Sequence, residues 1–595
     1  MQLSSSKLRL AVVLAVLAVG SGLIYFWNAS NYETGPYQGG VARSMSLNFS
    51  NWLFGAVDPA GTVSLDKIPG SYWVTAIFVK LVGFHTASLV IPNALATIAA
   101  VIVMALAGRR IAKFATSNDA VADAVAFATG LVIIATPIIS AVARSNEPES
   151  FFLLTMALAF HRAVIALQTA SRKQLIYAGL FVALAFQTYM IEAWVIWPAI
   201  IVAWFTVSGR SKVQKLVDLL IAGSISLFAS LLWILAVTIT PPTARPYVGG
   251  TLKNSAFEMV FGYNALGRLS ATGDAKLYRS FTPKFAGQAG ILRLFNPQDA
   301  GQVGWLLLAA AVAVALLFLV QEFDSVLVLI GFSLATFFLE YSFVAGMHQY
   351  YTSVLAIPVA AALAYLLANG RGWMYTLVGL VAVASAFQIS AIYPGYNSWV
   401  PFMSTALIGA LVLVHGLASK SKAWLALILG LAVTATPLAW SIDTMNRPNS
   451  TNPVAGPPLR TTGHPGVRHT KLNPPRSGKS DLTAAREIKR YVMAHGAIHA
   501  RYPVGVFGGE VATIITNASK MEVMPIGGFS GFDPVPTLHK FKQLTASGDL
   551  PYVIMGPRFV NRGIAGNTEQ LSRYILANCK VEQQTLFGPL YRCAK

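Results

Sequence analysis

Apolar runs of near-uniform length are the main pattern in this chain, broken by short polar stretches. The first run is Leu10–Trp27, preceded by Lys7 and Arg9. Others lie near 88–108, 120–142, 151–168, 175–190, 192–207, 216–239, 303–320, 325–343, 350–368, 373–392, 401–418 and 423–440. A bilayer core is about 30 Å thick and takes roughly 20 apolar residues per helix, so the pattern predicts about 13 spans. The fold class is an all-α polytopic membrane protein. The first run exceeds the roughly 7–15 residues of a signal-peptide core, and no small-residue cleavage pattern follows. It reads as a retained anchor with its N-terminus in the cytoplasm.

The polar stretches order the spans. Alternating them places Arg109, Arg110 and Lys113 inside, with Arg172 and Lys173, then Arg210, Lys212 and Lys215, then Arg371, then Lys420 and Lys422. Every short basic loop falls on one side, as the positive-inside bias of membrane proteins requires. An odd number of spans then sets the C-terminal segment outside, at the plasma membrane. Composition agrees: 11% of the 595 residues are charged and 55% are hydrophobic, where soluble domains carry about 25% charged residues. The net charge of +20 is the mark of cytoplasmic loops, not of nucleic-acid binding.

Two long segments interrupt the spans on the outer side, 28–84 and 240–303. Residues 441–480 hold seven prolines and read as a linker after the membrane domain 1–440. From 481 to 595 the pattern changes to short strands alternating with amphipathic helices, which predicts a small extracytoplasmic α/β domain. Expected there are strands at Val504–Phe507, Val523–Ile526 and Val553–Met555. Helices are expected at Asp481–His495, Val511–Asn517, Pro536–Leu544 and Thr568–Leu576. Cys579 and Cys593, the only two cysteines, lie in this domain, where thiols oxidise, and are expected to pair. No Cys-rich or His/Cys metal set is present, and neither a metal nor a cofactor is expected.

The outer segments hold the unusual polar residues. Glu33, Asp58 and Asp66 stand in the first loop, where apolar surroundings raise a carboxyl pKa towards a general base's range. Taken alone, this stretch is better explained by ordinary polar-loop chemistry. Arg144-Ser-Asn-Glu-Pro-Glu149 precedes a span, where Glu149 suits the positive end of the helix dipole. Arg245-Pro-Tyr-Val-Gly-Gly250 and Gly262-Tyr-Asn-Ala-Leu-Gly-Arg268 combine close-approach glycines with two cations able to clamp a phosphate. His348 suits a proton carrier, and an aromatic-belt role fits His348, Tyr350 and Tyr351 equally. Gly527-Gly-Phe-Ser-Gly-Phe-Asp-Pro534 reads as a tight turn with Asp533 near a helix start.

In this order the groups resemble the polyprenyl-phosphate-dependent GT-C glycosyltransferases, the superfamily of protein O-mannosyltransferases and lipid A aminoarabinose transferases. They are most similar to the bacterial YkcA/YkcB-type mannosyltransferase-like branch. The resemblance rests on Asp58–Gly61 with Asp66–Pro69, Arg245–Gly250 with Gly262–Arg268, His348–Tyr351 and Gly527–Pro534. The superfamily's Asp-Glu-x-x-Tyr motif aligns on Tyr37, which sets Glu33 at the catalytic Asp and Thr34 at the Glu. The resemblance implies Glu33 as base, with Asp58 and Asp66 as competitors in the same loop. Lys67, Tyr37, Arg245 and Arg268 would then serve the donor phosphate, with Glu149, His348 and Tyr351 as further site candidates. It implies a polyprenyl-phosphate sugar donor, a cell-envelope acceptor (polysaccharide, glycolipid or protein) and an inverting transfer. A lipid or solute transporter and a non-catalytic glycan-binding scaffold are the rival readings. Few charges lie inside the spans and no internal repeat is evident, which counts against transport.

Overall fold

The computed structural model describes residues 5–28, 34–266, 285–320, 324–393, 399–400, 402–403, 406–407, 409–410, 422–446, 452–456, 478–556, 559 and 566–593. The chain divides into two compact units that do not follow sequence order. The first is Met1–Glu33, Val90–Leu231 and Pro283–Leu459; the second is Thr34–Leu89, Leu232–Thr282 and Arg460–Lys595.

The first unit is a helix bundle. Among the described residues ten helices are long and apolar enough to cross a membrane, or up to eleven if a bent pair counts as one. The expected count of about 13 differs from this by runs that share one helical stretch or fall outside the described residues. The runs 175–190 and 192–207 merge into one helical stretch, Arg172–Thr206, and most of 401–418 lies outside the described residues. The bent pair is Asp119–Ala135 with Pro137–Ala143, at 70°. Pro137 has no N–H to give and keeps Thr136 out of helical geometry, at φ −67° and ψ 111°.

The stretch Arg172–Thr206 does not cross once. Arg172 and Arg210 both bond the buried Asp218, Arg210 at 2.7 Å, and Arg210 also donates to the Ala170 carbonyl at 2.8 Å. Its two ends are therefore neighbours and the chain reverses between them. The reversal falls at Met190, whose φ of +57° is one that residues with a side chain rarely adopt.

Other basic residues gather in the same manner at helix ends. Arg9 and Arg109 share Asp123 at 3.5 and 2.7 Å, while Arg109 and Lys113 reach Asp119. At the other end of the helix Ser5–Phe26, the Arg144 guanidinium donates to the carbonyls of Ile24 and Trp27. It also donates to Met445, just past the helix Lys422–Asp443. Helix C-termini leave their last carbonyls unpaired and carry partial negative charge, so a buried cation satisfies both needs. The chain thus leaves its last described span at the end opposite Arg9.

In the second unit, residues 478–593 carry a five-stranded sheet, ordered β2-β1-β3-β5-β4. The strands are β1 Val504–Phe507, β2 Val523–Ile526, β3 Tyr552–Ile554, β4 Lys580–Thr585 and β5 Gly588–Arg592. β1 pairs in parallel with β2 and β3, and β5 is antiparallel to β3 and β4. Helices Gly478–Val492 and Gly509–Ser519 pack with Val504, Val506 and Val523 on one face. Helices Leu538–Ala546 and Asn567–Asn578 pack with Phe507, Met524 and Val553 on the other. Sequence reading finds β1, β2, β3 and these helices but misses the β4–β5 hairpin. β4 is a polar, mostly exposed edge strand and lacks the apolar alternation that marks a half-buried one. A disulfide joins Cys579 and Cys593 across this hairpin, Cα to Cα 4.4 Å.

Replacing Asp218 by Ala leaves Arg172 and Arg210 without their shared partner. Breaking a buried pair costs about 3–5 kcal/mol. Partial exposure of both arginines reduces the expected loss to about 2 kcal/mol. Thermal unfolding in detergent should show a midpoint several degrees lower, and an unchanged midpoint would mean that the ends of Arg172–Thr206 are held together by other contacts.

Candidate active site

The first outer loop is built around a turn. Asp58 Oδ1 accepts from the Thr62 amide at 2.9 Å, the Thr62 hydroxyl at 2.7 Å and the Val63 amide at 3.3 Å. The turn returns the chain so that Ala56 pairs antiparallel with Ser64. The second outer loop joins this ribbon as a further strand, with Val63 beside Tyr247 in parallel. Ser64 N donates to Tyr247 O at 2.7 Å, and Gly249 N donates to the Ser64 hydroxyl at 3.1 Å. A Cβ on Gly249 would collide with the Ser64 carbonyl, which explains the glycine.

This pairing carries Asp66 into a crowded place. The Tyr263 hydroxyl donates to Asp66 Oδ2 at 3.2 Å, and Asn264 Nδ2 donates to the Asp66 carbonyl at 2.8 Å. Gly250, at φ +71°, lies so near that an added Cβ would be 3.0 Å from both Asp66 Cβ and the Tyr263 ring. Its amide donates to Asp533 Oδ2 at 2.9 Å. Tyr37 is buried, its ring 4.7 Å from that of Phe529, and its hydroxyl meets no hydrogen-bond partner among the described residues. Burial pushes its phenol pKa well up, and the charges of Asp66 and Asp533 push the same way. The cluster thus joins Tyr37, Asp66, Tyr263, Gly250 and Asp533, drawn from both outer loops and the C-terminal domain.

Several expected residues find other work. Asp58 is a loop organiser, with its Oδ2 buried and unbonded among the described residues. Arg245 bonds the carbonyls of Val237, Thr240, Pro246 and Asn254 and the Asn254 side chain, and so braces the second loop. Most of its donors are engaged in these bonds. The turn Gly527–Pro534 does not use Asp533 to start a helix; Thr537 caps the next one. Lys67, half-buried, follows Asp66 directly. Glu33 and Arg268 lie outside the described residues.

The first unit holds a second group. Glu149, fully buried, accepts from the Tyr189 hydroxyl instead of merely opening its helix. Tyr189 stacks on Phe152 at 4.9 Å and meets Tyr351 edge-on at 5.5 Å. His348 lies 4.7 Å from Tyr350 and 5.3 Å from Tyr351, ring to ring, and its Nδ1 is 2.5 Å from Asn452 Oδ1. Asn452 also donates to Gln349 at 3.1 Å, and Ala455 exchanges two hydrogen bonds with Gln302. The beginning of the presumptive linker is therefore built into the bundle, and the helix Lys422–Asp443 occupies its first residues. Glu149 is linked to Tyr351 and His348 through the Tyr189 ring. Tyr189, Asn452 and the Glu192–Tyr341 bond were missed, because nothing in their local sequence distinguishes them. No group of His, Cys, Asp and Glu among the described residues has the arrangement of a metal site.

Residues 66–234 match the family model "Dolichyl-phosphate-mannose-protein mannosyltransferase". Residues 488–578 match "Putative mannosyltransferase YkcB-like, C-terminal". The chain is 25% identical over 676 residues to "Putative mannosyltransferase YkcB" of Bacillus subtilis, covering 93% of this chain and 90% of that protein. "Putative mannosyltransferase YycA" of the same organism is 30% identical over 277 residues, 46% of this chain and 39% of that one. In fold the chain is similar to ArnT from Cupriavidus metallidurans bound to undecaprenyl phosphate. The TM-score is 0.57 at 12% identity, covering 99% of this chain and 98% of that one. Apo ArnT gives 0.55 at 13% identity, covering 98% of each chain.

Burial raises the Asp58 carboxyl from 3.8 to about 6, against the hydrogen bonds from Thr62 and Val63 that lower it. The folded pKa lies above the unfolded one, so its protonated form favours folding. That contribution is complete below pH 3.8 and is lost as pH rises through about 6. At one pKa unit per 1.36 kcal/mol, the ionised group costs about 3 kcal/mol. Asp58→Asn should therefore gain stability relative to the parent as pH rises from 5 to 8, read as the difference in unfolding midpoints. A difference that does not vary with pH would refute the raised carboxyl.

Proposed function

We propose that this protein is a membrane glycosyltransferase that moves a sugar from a polyprenyl-phosphate donor to an acceptor hydroxyl on the non-cytoplasmic face. The observation that carries the reading is the convergence of the first- and second-loop motifs on Tyr37, Asp66 and Tyr263. It occurs in a chain similar along almost its whole length to mannosyltransferase-like proteins. The fold neighbour ArnT was solved with undecaprenyl phosphate, which supports a donor of that lipid class here.

The chemistry is a single displacement. A first-loop carboxylate takes the acceptor's hydroxyl proton, the freed oxygen bonds to the anomeric carbon, and the bond from that carbon to the lipid phosphate oxygen breaks. The leaving group departs as polyprenyl monophosphate, and attack opposite to it inverts the anomeric centre. Lys67, next to Asp66, stabilises the charge growing on the phosphate. Glu33 is the base by its position before Tyr37, and Asp66 is its competitor inside the described cluster. Asp58 ranks below both, since one of its oxygens is committed to the turn. The acceptor belongs to the cell envelope. The end of the bundle at which Met445 emerges, opposite Arg9, supports an extracytoplasmic C-terminal domain.

The test is transfer by purified protein from a panel of polyprenyl-phosphate sugars. Removing the base should cost about 10²–10⁴-fold in rate with donor binding kept, so Glu33→Gln and Asp66→Asn are the diagnostic pair. Lys67→Ala should lose most transfer, and Lys67→Arg should keep part of it. Full activity in all these variants would refute the mechanism, and no transfer from any donor would refute the enzyme. A reporter active only in the cytoplasm, fused after Lys595, should stay silent.

A further inference from the structure

We infer that Asp533 of the C-terminal domain is a positioning residue for the transfer site, holding the second-loop glycines against Asp66. The inference rests on the glycosyl-transfer reading above and deepens it, since the sequence leaves the role of this domain open.

Three sets of contacts carry it. The first is the carboxylate itself. Asp533 is 1% exposed, and its Oδ2 accepts the Gly250 amide at 2.9 Å. Gly250 in turn has no space for a side chain beside Asp66 and Tyr263. A shift of Gly250 therefore passes directly to the carboxylate that Tyr263 holds.

The second is the loop that presents Asp533. Gly527, Gly528 and Gly531 have φ of +77°, +63° and +85°, which only glycine adopts freely. They wrap the turn so that Asp533 N donates to Gly527 O at 3.0 Å and Gly527 N to Val535 O at 2.7 Å. The Thr568 hydroxyl ties Gly531 O to the helix Asn567–Asn578 at 2.7 Å. The carboxylate is thus placed by the core of the C-terminal domain.

The third is the seat of that domain on the first loop. The helix Pro36–Met45 meets Gly509–Ser519 so closely that a Cβ on Gly40 would lie 2.6 Å from Thr513. Arg43 donates to the Thr516 carbonyl at 3.1 Å, and Asn517 to Pro36 O at 3.3 Å. Phe529, from the same turn as Asp533, packs with Tyr37, Val57, Val63 and Leu65. First loop, second loop and C-terminal domain share one core, so the domain completes the transfer site.

The experiment uses the full-length protein in lipid nanodiscs, with two readouts. Asp533→Ala should lower kcat about tenfold to a hundredfold with the donor KM little changed, since misplacing reacting groups by about 1 Å costs that much. Amide exchange in 247–254 should quicken while exchange in β1–β3 stays as in the parent. Asp533→Asn keeps an oxygen for the Gly250 amide and should restore most of the rate. Parent-like kcat in Asp533→Ala, or faster exchange at 247–254 without a loss of rate, overturns the proposal. If Asp533→Ala unfolds the domain, Asp533→Glu decides: it keeps the charge but moves the oxygen by one methylene. A rate loss with normal exchange in β1–β3 supports positioning, and a parent-like rate overturns it. If the parent transfers no sugar at all, the enzymatic reading fails, while the exchange measurement still tests the Asp533–Gly250 contact.

Discussion

A bilayer interior offers no water to a backbone N–H or C=O, and this constraint governs both where the chain is regular and where it is not. Among the described residues the spans are helical, and two breaks stand out. Pro137 breaks one helix because it brings no donor, and Met190 marks the reversal of another. At the helix ends, where carbonyls lose their partners, a buried side chain replaces them. Arg144 does so for the carbonyls of Ile24, Trp27 and Met445 in a single contact. The same rule explains why Asp218 and Asp123, both deeply buried, stand where arginines reach them.

Outside the spans the loops satisfy one another. The second loop supplies Tyr247 and Gly249 as partners for Ser64 of the first. The Gly250 amide finds a carboxylate from the C-terminal domain. Burying polar groups in this manner is favourable only when each is paired, so the segments are specified jointly. The exceptions stand out: the Tyr37 hydroxyl and Asp58 Oδ2 are buried without hydrogen-bond partners among the described residues. The charges of Asp66 and Asp533 act on the buried Tyr37 phenol.

Much of this was legible beforehand because it rests on local pattern. Apolar runs of spanning length and the alternation of strands and helices after residue 478 follow from hydrophobic periodicity. The motifs Asp66–Pro69, Arg245–Gly250 and His348–Tyr351 carried the resemblance that the comparisons support. The β4–β5 hairpin was not legible, since β4 displays no apolar face. Nor was Asn452, which looks like linker and is paired with His348.

The sequence by itself determined the class of protein and the identity of the residues available for chemistry. These follow from transfer free energies and from residue types, which act position by position. Only the tertiary structure decided what each polar residue does. Asp58 and Asp66 are alike in sequence, but one folds a turn while the other joins a cluster of tyrosines. Arg245 engages most of its donors with backbone carbonyls and Asn254. Asp533, almost 300 residues from Gly250, reaches its amide. The physical reason is that a hydrogen bond depends on partners within about 3 Å, and no spacing along a chain records which distant backbone will be there.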